Sequence, residues 1–299
     1  MKAPIVKPYG LLSMLRHHFA GRKQEVNGGI EEERKYILCS GSDFFIREAY
    51  KTLRTNVVYA LAEEEKNCKV VIVTSAMQSE GKSITAANLA ISFAEMNNRV
   101  LLVDCDLRRP KLARLLQLNS RVGLSNVLIK PELLDKAIQT TKVTNLDVLP
   151  TTDVPPNPSE LLGSSRMHKL LETLRERYDY IVLDTSPVNM VTDACVLVPE
   201  SSGVLFVVRA NRSERDALAH AMDQLEHSKA KMLGFVLNGV GNDFGRYGKY
   251  RYGKYKKYGY GRRYGYGYGQ GYGYGQGYGY GYGYGYGYSS RPGGEEIGE

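Results

Sequence analysis

The side chains best suited to chemistry include a lysine and a serine that follow a glycine, at Lys82 and Ser83. They close the run AMQSEGKS at residues 76–83, which has the spacing of a Walker A phosphate loop with Ala76 in place of the first glycine. Backbone N–H groups of such a loop surround phosphate oxygens, the lysine reaches the β- and γ-phosphates, and the hydroxyl binds Mg²⁺. The run therefore predicts a nucleotide site made by Ser79, Glu80, Gly81, Lys82, Ser83 and Ile84.

Carboxylates at the ends of two apolar runs could complete such a site. Asp104 and Asp106 close the run LLVDCD, and Asp184 closes IVLD. Ligands of open α/β sheets bind at the carboxyl ends of the strands. An aspartate there can also cap the next helix, but three of them beside a phosphate loop favour Mg²⁺ and a hydroxyl nucleophile. One carboxylate would hold the ion through water and another would accept the proton of the attacking hydroxyl, and the residues alone leave open which does which.

Strands and helices that alternate along the chain must bring these groups together. Apolar runs predict strands at 69–75, 100–104, 146–149, 180–184, 203–209 and 232–238. Helical spacing predicts helices at 44–65, 81–96, 164–176, 192–198 and 213–228, with short helices in 110–140. Continuous apolar strands separated by helices indicate a P-loop NTPase-like α/β fold, a mostly parallel sheet with helices on both faces.

Three regions follow from this pattern. Residues 1–40 contain turn-forming prolines and glycines and are predicted as a poorly packed lead-in, and residues 41–243 form the P-loop domain. The remaining residues, 244–299, are called the tail and hold 17 of the 23 tyrosines. Between 245 and 287 the tail has 17 glycines and no aliphatic residue, so it cannot bury enough apolar surface to offset its ordering entropy. We predict that the tail is disordered.

The net charge of +8 lies mainly in the tail. The tail has nine basic and three acidic residues, so it carries +6 and the rest of the chain +2. A nearly neutral domain argues against a basic nucleic-acid-binding core. The four cysteines have no C-x-x-C spacing, the histidines form no zinc pattern, and no apolar run approaches the roughly 20 residues of a membrane span. These features predict a cytoplasmic protein with reduced thiols.

Three motifs together resemble those of one family. The runs TSAMQSEGKS, LLVDCDLRRP and YDYIVLDTSPVN are similar, in this order, to the Walker A, A′ and B motifs of bacterial protein-tyrosine kinases (BY-kinases) of the CpsD/CapB type. The run REAYKTLRTN at 47–56 resembles the family's R-E-x-x-R-x-x-R helix, and the tail resembles its tyrosine cluster. The resemblance covers roughly residues 40–288.

This resemblance implies an autophosphorylating tyrosine kinase that uses ATP and Mg²⁺. By position in the motifs, it implies that the catalytic residues are Lys82, Asp104 and Asp106. It also implies that Ser83, Asp104 and the Walker B acid Asp184 lie at the metal.

Further residues take roles from the same comparison of motifs. Glu48, Lys51 and Arg54 would form the contact of a ring-type homo-oligomer. Asn238 could bind the adenine edge, as in related P-loop ATPases, although an asparagine that closes a turn explains it equally well. The phosphoacceptors would be the last tyrosines of the tail: Tyr278, Tyr280, Tyr282, Tyr284, Tyr286 and Tyr288.

The resemblance also implies partners and a location. Family members of this kind lack a membrane span and are activated by a separate transmembrane adaptor. We therefore expect a protein at the inner face of the cell membrane, held there by this activator, that regulates capsular or exopolysaccharide synthesis and export. Protein-tyrosine substrates and a cognate tyrosine phosphatase are implied as further partners, and nucleic acid is not.

The sequence departs from the family's pattern in three places. Lys51 stands where the family usually has arginine, which replaces a bidentate fork by a point charge. Ser186 stands where the family often has proline. The tail has more tyrosines than is usual, which leaves open which of them matter.

Three other functions compete with the kinase. A partition- or septum-positioning-type ATPase switch shares the fold, but such proteins usually carry an additional lysine early in the loop, where this chain has Ala76, Met77 and Gln78. A non-catalytic adaptor would not need the lysine and the three aspartates. The tail alone would also suit adhesion or the stacking of single-stranded bases.

Overall fold

The structure, a computed structural model, describes residues 29–64 and 67–240. All of them belong to the first of the two units into which the chain divides, Met1–Gly245. The second unit, Arg246–Glu299, lies outside the described residues. The disorder of the tail and the roles of its six acceptor tyrosines therefore stay predictions.

Seven strands form a single sheet: β1 (Lys69–Ser75), β2 (Val100–Asp104), β3 (Gln139–Thr140), β4 (Leu146–Leu149), β5 (Tyr180–Asp184), β6 (Gly203–Arg209) and β7 (Met232–Asn238). Their order is β3-β4-β2-β5-β1-β6-β7. All neighbouring pairs are parallel except β3 with β4. The six longer strands have the predicted bounds because each is an apolar run, whereas β3 is two polar residues long and gives no such signal.

The sheet order brings the three motifs to one edge. Strand β5 lies between β1 and β2, so the strands that end in the A, B and A′ motifs are neighbours. In the register of these strands, Asp184 is opposite Val73 on one side and Asp104 on the other. Because parallel strands share their carboxyl edge, residues 80 positions apart in the chain become adjacent.

Helices cover both faces of the sheet, and two apolar layers separate them from it. Val70 and Ile72 of β1 face one layer, and Val71 and Val73 face the other. No helix among the described residues is long and apolar enough to cross a membrane. The helices are α1 (29–34), α2 (Phe44–Ala60), α3 (Lys82–Ala94), α4 (Leu112–Leu115), α5 (Leu124–Ile129), α6 (Leu134–Ala137), α7 (Pro158–Leu162), α8 (Ser165–Arg175), α9 (Asp193–Leu197) and α10 (Arg215–His227).

Helix ends differ from the predicted ones by a few residues. Helix α2 begins as predicted, because the Asp43 carboxylate accepts hydrogen bonds from the N–H groups of Phe45 and Ile46. It ends at Ala60, earlier than the predicted residue 65, because the chain then turns towards β1. Helix α7 begins with proline at its first position and lies outside the predicted helices.

Part of the predicted lead-in packs against the domain. Leu38 is buried, and its N–H donates to Asn88 Oδ1 at 2.8 Å. Asn88 Nδ2 in turn donates to the Tyr36 carbonyl at 2.8 Å. Residues 29–40 are therefore not poorly packed. The prediction rested on the turn-forming glycines and missed two buried apolar residues, Ile30 and Leu38.

Candidate active site

The loop between β1 and α3 is shaped for an anion. Ser79 and Gly81 have left-handed backbone angles, with φ values of 63° and 98°. Such turns form concavities lined by N–H groups. A Cβ on Gly81 would overlap the side chain of Asn238, so this position requires glycine. Helix α3 begins at Lys82 without a side-chain cap, which leaves its first N–H groups for a phosphate.

The same loop is supported from the side of β6 and β7. The Glu80 carboxylate accepts hydrogen bonds from the Met77 N–H at 2.9 Å and from the Ser213 hydroxyl. Asn238 Nδ2 donates to the Glu80 carbonyl at 2.9 Å, and its Oδ1 accepts the Gly239 N–H. The structure thus places Asn238 against the loop with both ends of its amide engaged, and its predicted contact with adenine stays a prediction.

Lys82 is buried among the three predicted carboxylates. Its Nζ lies 3.2 Å from Asp106 Oδ2. Burial opposes its charge, but the negative charges of Asp184, Asp106 and Asp104 outweigh this effect and raise the pKa of Lys82. The side chain is therefore a cation at neutral pH, next to the start of α3.

Asp104 and Asp184 hold carboxylate oxygens that have no hydrogen-bond partner. Asp104 Oδ2 accepts from the N–H groups of Lys111 and Leu112, at 3.1 and 3.0 Å, whereas its Oδ1 has none. Both oxygens of Asp184 lack one, although the Ser83 hydroxyl is near enough to favour the charged form. Burial raises the pKa of Asp184 to about 6, against the opposing charge of Lys82. Burial, together with the charge of Asp184, also raises the pKa of Asp104.

These orphaned oxygens fit a magnesium site. Buried polar atoms are nearly always paired, so the three unpaired oxygens beside the phosphate loop are suited to ligating a cation. In the part of the chain that the structure describes, no three His, Cys, Asp or Glu residues form an all-protein metal cluster. Mg²⁺ usually takes one or two carboxylates together with waters and substrate phosphates, and the donors Ser83, Asp104 and Asp184 suit that mode.

Asp106 has a different environment from the other two acids. Its Oδ1 accepts from the Arg109 N–H at 3.1 Å and from the Ser186 hydroxyl at 2.9 Å. Ser186 Oγ also lies 2.9 Å from Asp193 Oδ2, and Arg108 Nε lies 3.3 Å from that same oxygen. Asp193 lies outside the three motifs, so the sequence did not predict it as a site residue.

A cleft opens in front of Lys82 and Asp106. Its walls come from the phosphate loop, the segment after β2 and the segment after β5. Pro187, Met190 and Val191 make one wall partly apolar, and Met190 is half exposed. The cleft is lined by Gln78, Ser79, Lys82, Asp106, Arg108, Arg109, Lys111, Ser186, Pro187, Met190 and Val191. An aromatic side chain that enters it would meet a carboxylate at its inner end.

The predicted oligomer residues lie on α2, outside this cleft. Glu48 and Lys51 form an ion pair at 2.7 Å, and both are more than a third exposed. Arg54 instead donates to the Ser92 carbonyl at 2.7 Å and is held on its own subunit. The predicted role of all three residues in a contact between subunits stays a prediction.

Comparison with known proteins gives relatives over most of the described domain. Residues 68–231 match the family model described as an AAA domain. Tyrosine-protein kinase YwqD of Bacillus subtilis is 37% identical over 226 residues, which is 74% of this chain and 94% of that protein. Putative tyrosine-protein kinase CapB of Staphylococcus aureus is 35% identical over 70% of this chain and 91% of its own length.

Solved structures agree with these relatives. The kinase domain of Escherichia coli tyrosine kinase ETK has 32% identity and a TM-score of 0.63, covering 75% of this chain and 80% of that one. The septum site-determining protein MinD of Pyrococcus horikoshii, complexed with Mg-ADP, has 23% identity and a TM-score of 0.50, covering 58% of this chain and 72% of that one. The second likeness shows the fold alone.

Proposed function

The chain belongs to the AAA-domain family of bacterial tyrosine-protein kinases, and we propose that it transfers the γ-phosphoryl group of ATP to tyrosines of its own tail. The observation that carries the proposal is that Lys82 lies among three aspartates at a phosphate loop whose following helix, α3, has no side-chain cap. The 17 tyrosines of the tail supply acceptors on the same chain.

Binding of the nucleotide uses the loop and the lysine. The N–H groups at the start of α3 hold the phosphates, and Lys82 leaves Asp106 to pair with the β- and γ-phosphates. Ser83, Asp104 and Asp184 would hold Mg²⁺, which would neutralise part of the phosphate charge. Arg209 donates to the Ser79 carbonyl at 3.0 Å and helps to keep the loop in shape.

Asp106 is the group best placed to take the proton of the tyrosine. Although it is buried, it lines the cleft, whereas Asp104 and Asp184 do not. The tyrosine oxygen forms a bond to the γ-phosphorus, the bond from this phosphorus to the β,γ-bridging oxygen breaks, and ADP leaves with its electrons. The phenolic proton passes to the Asp106 carboxylate. The apolar wall at Met190 would support the ring during transfer.

A label on the γ-phosphate separates a kinase from an ATPase switch. Protein incubated with γ-labelled ATP, Mg²⁺ and an activator fragment should carry the label in acid-stable phosphotyrosine. Labelled inorganic phosphate without labelled protein would instead identify the switch, and would overturn the proposal.

We further propose that phosphorylation occurs between subunits of a ring-type homo-oligomer in which α2 makes the contact. Glu48→Ala with Lys51→Ala should lower both the oligomer mass and the rate of autophosphorylation, because it removes the exposed ion pair of α2. Light scattering and a phosphotyrosine immunoblot measure the two effects. We choose this pair over Arg54, because Arg54→Ala would also break an intrachain bond to α3.

A second i,i+3 ion pair provides a matched control for assembly. Glu32 lies within α1 and Lys35 is the residue after it. They form an ion pair at 2.6 Å that is more exposed than the pair on α2. Glu32→Ala with Lys35→Ala should leave both mass and phosphorylation as in the wild type. An unchanged mass in the α2 variant, or an equal loss in the control, would contradict the role of α2.

The proposal extends to regulation in the cell. From the resemblance, we propose a transmembrane activator that holds the kinase at the inner face of the membrane, and a cognate phosphatase that resets the tail. The process regulated would be capsular or exopolysaccharide synthesis and export. Each phosphotyrosine adds about −1.5 to −2 at pH 7, so about four would cancel the tail's +6. Charge reversal would favour release of the tail from the acidic site.

A further inference from the structure

A hydroxyl lies between two buried carboxylates beside the reacting centre. Ser186 Oγ is 2.9 Å from Asp106 Oδ1 and 2.9 Å from Asp193 Oδ2. A serine hydroxyl has one proton, so it can donate to only one of the two carboxylates at a time. The arrangement therefore has two states, which differ in the direction of a single O–H bond.

Asp193 keeps other donors in either state. Ser159 Oγ donates to its Oδ1 at 2.5 Å, and the Arg108 guanidinium pairs with its Oδ2 at 3.3 Å. Its side chain is fully buried, at 0% exposed, and a buried carboxylate is stable only when it is paired in this way. Asp193 can thus accept the Ser186 hydroxyl or release it without becoming an isolated buried charge.

Asp106 also keeps donors when the hydroxyl turns away. Lys82 Nζ and the Arg109 N–H contact it at 3.2 and 3.1 Å. When Lys82 moves to the phosphates, Asp106 retains the Arg109 N–H and whichever contact Ser186 makes. A base must have a free lone pair directed at the proton that it accepts. The departure of Lys82 provides that lone pair on Oδ2, while the Ser186 hydroxyl on Oδ1 fixes the orientation of the carboxylate.

We propose that Ser186 is a positioning residue for Asp106 and that Asp193 is the alternative acceptor of its hydroxyl. Ser186 donates to Asp106 Oδ1 and orients the carboxylate. It keeps this bond while Oδ2, which Lys82 has left, accepts the phenolic proton, and it turns to Asp193 once Asp106 is neutral. No proton is exchanged in this turn, since the O–H bond of Ser186 stays intact. The inference rests on the proposed kinase activity and on Asp106 as the proton acceptor.

Ser186→Ala tests the hydroxyl directly. With a synthetic peptide of residues 281–288 as acceptor, kcat should fall about tenfold, as expected for one lost hydrogen bond to a charged group. The KM for ATP and the dissociation constant of Mg-ADP should stay within twofold, because neither phosphate nor metal contacts change. Ser186→Thr, which keeps a hydroxyl, should recover most of kcat.

Asp193→Asn tests the second acceptor. An amide at this position can donate to Ser186 Oγ, which would keep the hydroxyl proton directed at Asp106. We expect kcat within about twofold of the wild type, because the hydrogen bond that orients Asp106 is kept. The double variant should be as slow as Ser186→Ala, and a tenfold fall in Asp193→Asn alone would contradict the role of the Ser186 bond.

Ser228→Ala is the matched control, since the Ser228 hydroxyl is bonded to backbone carbonyls at the end of α10. It should leave kcat unchanged. Wild-type kcat in Ser186→Ala, an equal loss in Ser186→Thr, or a raised KM for ATP in place of a lowered kcat would overturn the inference. If Asp193→Asn does not fold, the comparison of alanine with threonine at 186 still decides. Absence of phosphotyrosine in the wild type would instead overturn the proposed function.

Discussion

Lys82→Met should reduce tyrosine phosphorylation of the tail by at least roughly a hundredfold, the usual effect of losing one preorganised charge contact to a transferring phosphoryl group. The methionine retains the length of the side chain but removes the cation that contacts Asp106 at 3.2 Å. A phosphotyrosine immunoblot with ATP, Mg²⁺ and an activator fragment measures the loss.

The same variant should remain folded, although less stable. Lys82 offsets the charge of three buried carboxylates. Its removal leaves these negative charges to repel one another without a neighbouring cation. Circular dichroism should show native secondary structure with a lowered melting temperature. Lys130→Met, at an exposed position after α5, is the control and should change neither property. A folded Lys82→Met protein with wild-type phosphotyrosine would contradict the role of the lysine.

Asp184→Asn should abolish phosphorylation and yet raise thermal stability. The wild-type carboxylate has two buried oxygens without a hydrogen-bond partner. Burial raises its pKa to about 6, above the usual range of an aspartate, so the folded state disfavours its charged form. The loss of activity would follow from the loss of a proposed magnesium ligand, and calorimetry without nucleotide measures the gain in stability.

The pH dependence of this gain has a definite sign. A carboxylate with a raised folded-state pKa destabilises the folded state above that pKa, and the penalty fades as the pH falls towards the unfolded value. The gain from asparagine should therefore be full at pH 7.5 and smaller at pH 5. We expect about 2 kcal/mol, or roughly 5 °C, at neutral pH, since the loss of a neighbouring charge for Lys82 offsets part of it.

Asp179→Asn, at the residue before β5, is a control in which the melting temperature should change in the opposite direction. The Arg99 guanidinium holds the pKa of Asp179 below its usual range, through a contact of 2.7 Å. Removal of this charge should lower the melting temperature slightly and leave phosphorylation unchanged. A lowered melting temperature in Asp184→Asn at pH 7.5 would contradict the account of its burial.

The parts of the site that could be predicted are those encoded in local patterns. Each of the six apolar runs forms a strand with the expected bounds. Five of these strands are almost entirely buried, which leaves little room for polar residues, whereas the edge strand β7 is partly exposed. The phosphate loop and the three aspartates follow from strand ends, since the carboxyl edge of a parallel sheet gathers them.

Features that depend on distant contacts could not be predicted in this way. Asp193 contacts Ser186 and Ser159 only because the first residues of α7 and α9 and the loop after β5 come together in the fold. The buried Leu38 donates its N–H to Asn88, 50 residues away, and the local spacing of residues does not reveal such a contact. Arg54 donates to the Ser92 carbonyl of α3, a contact that the motif does not predict, and its contact with another subunit stays a prediction.

Phosphopeptide mass spectrometry of the tail tests the central claim most directly. Trypsin cleavage after Arg263 releases the last eleven tyrosines, including all six predicted acceptors, in one peptide. After incubation with ATP, Mg²⁺ and an activator fragment, wild-type protein should yield this peptide with one or more phosphates on tyrosine. The Lys82→Met protein should yield it unmodified. A wild-type peptide that stays unmodified while ATP is consumed would contradict the claim that this protein phosphorylates its own tail.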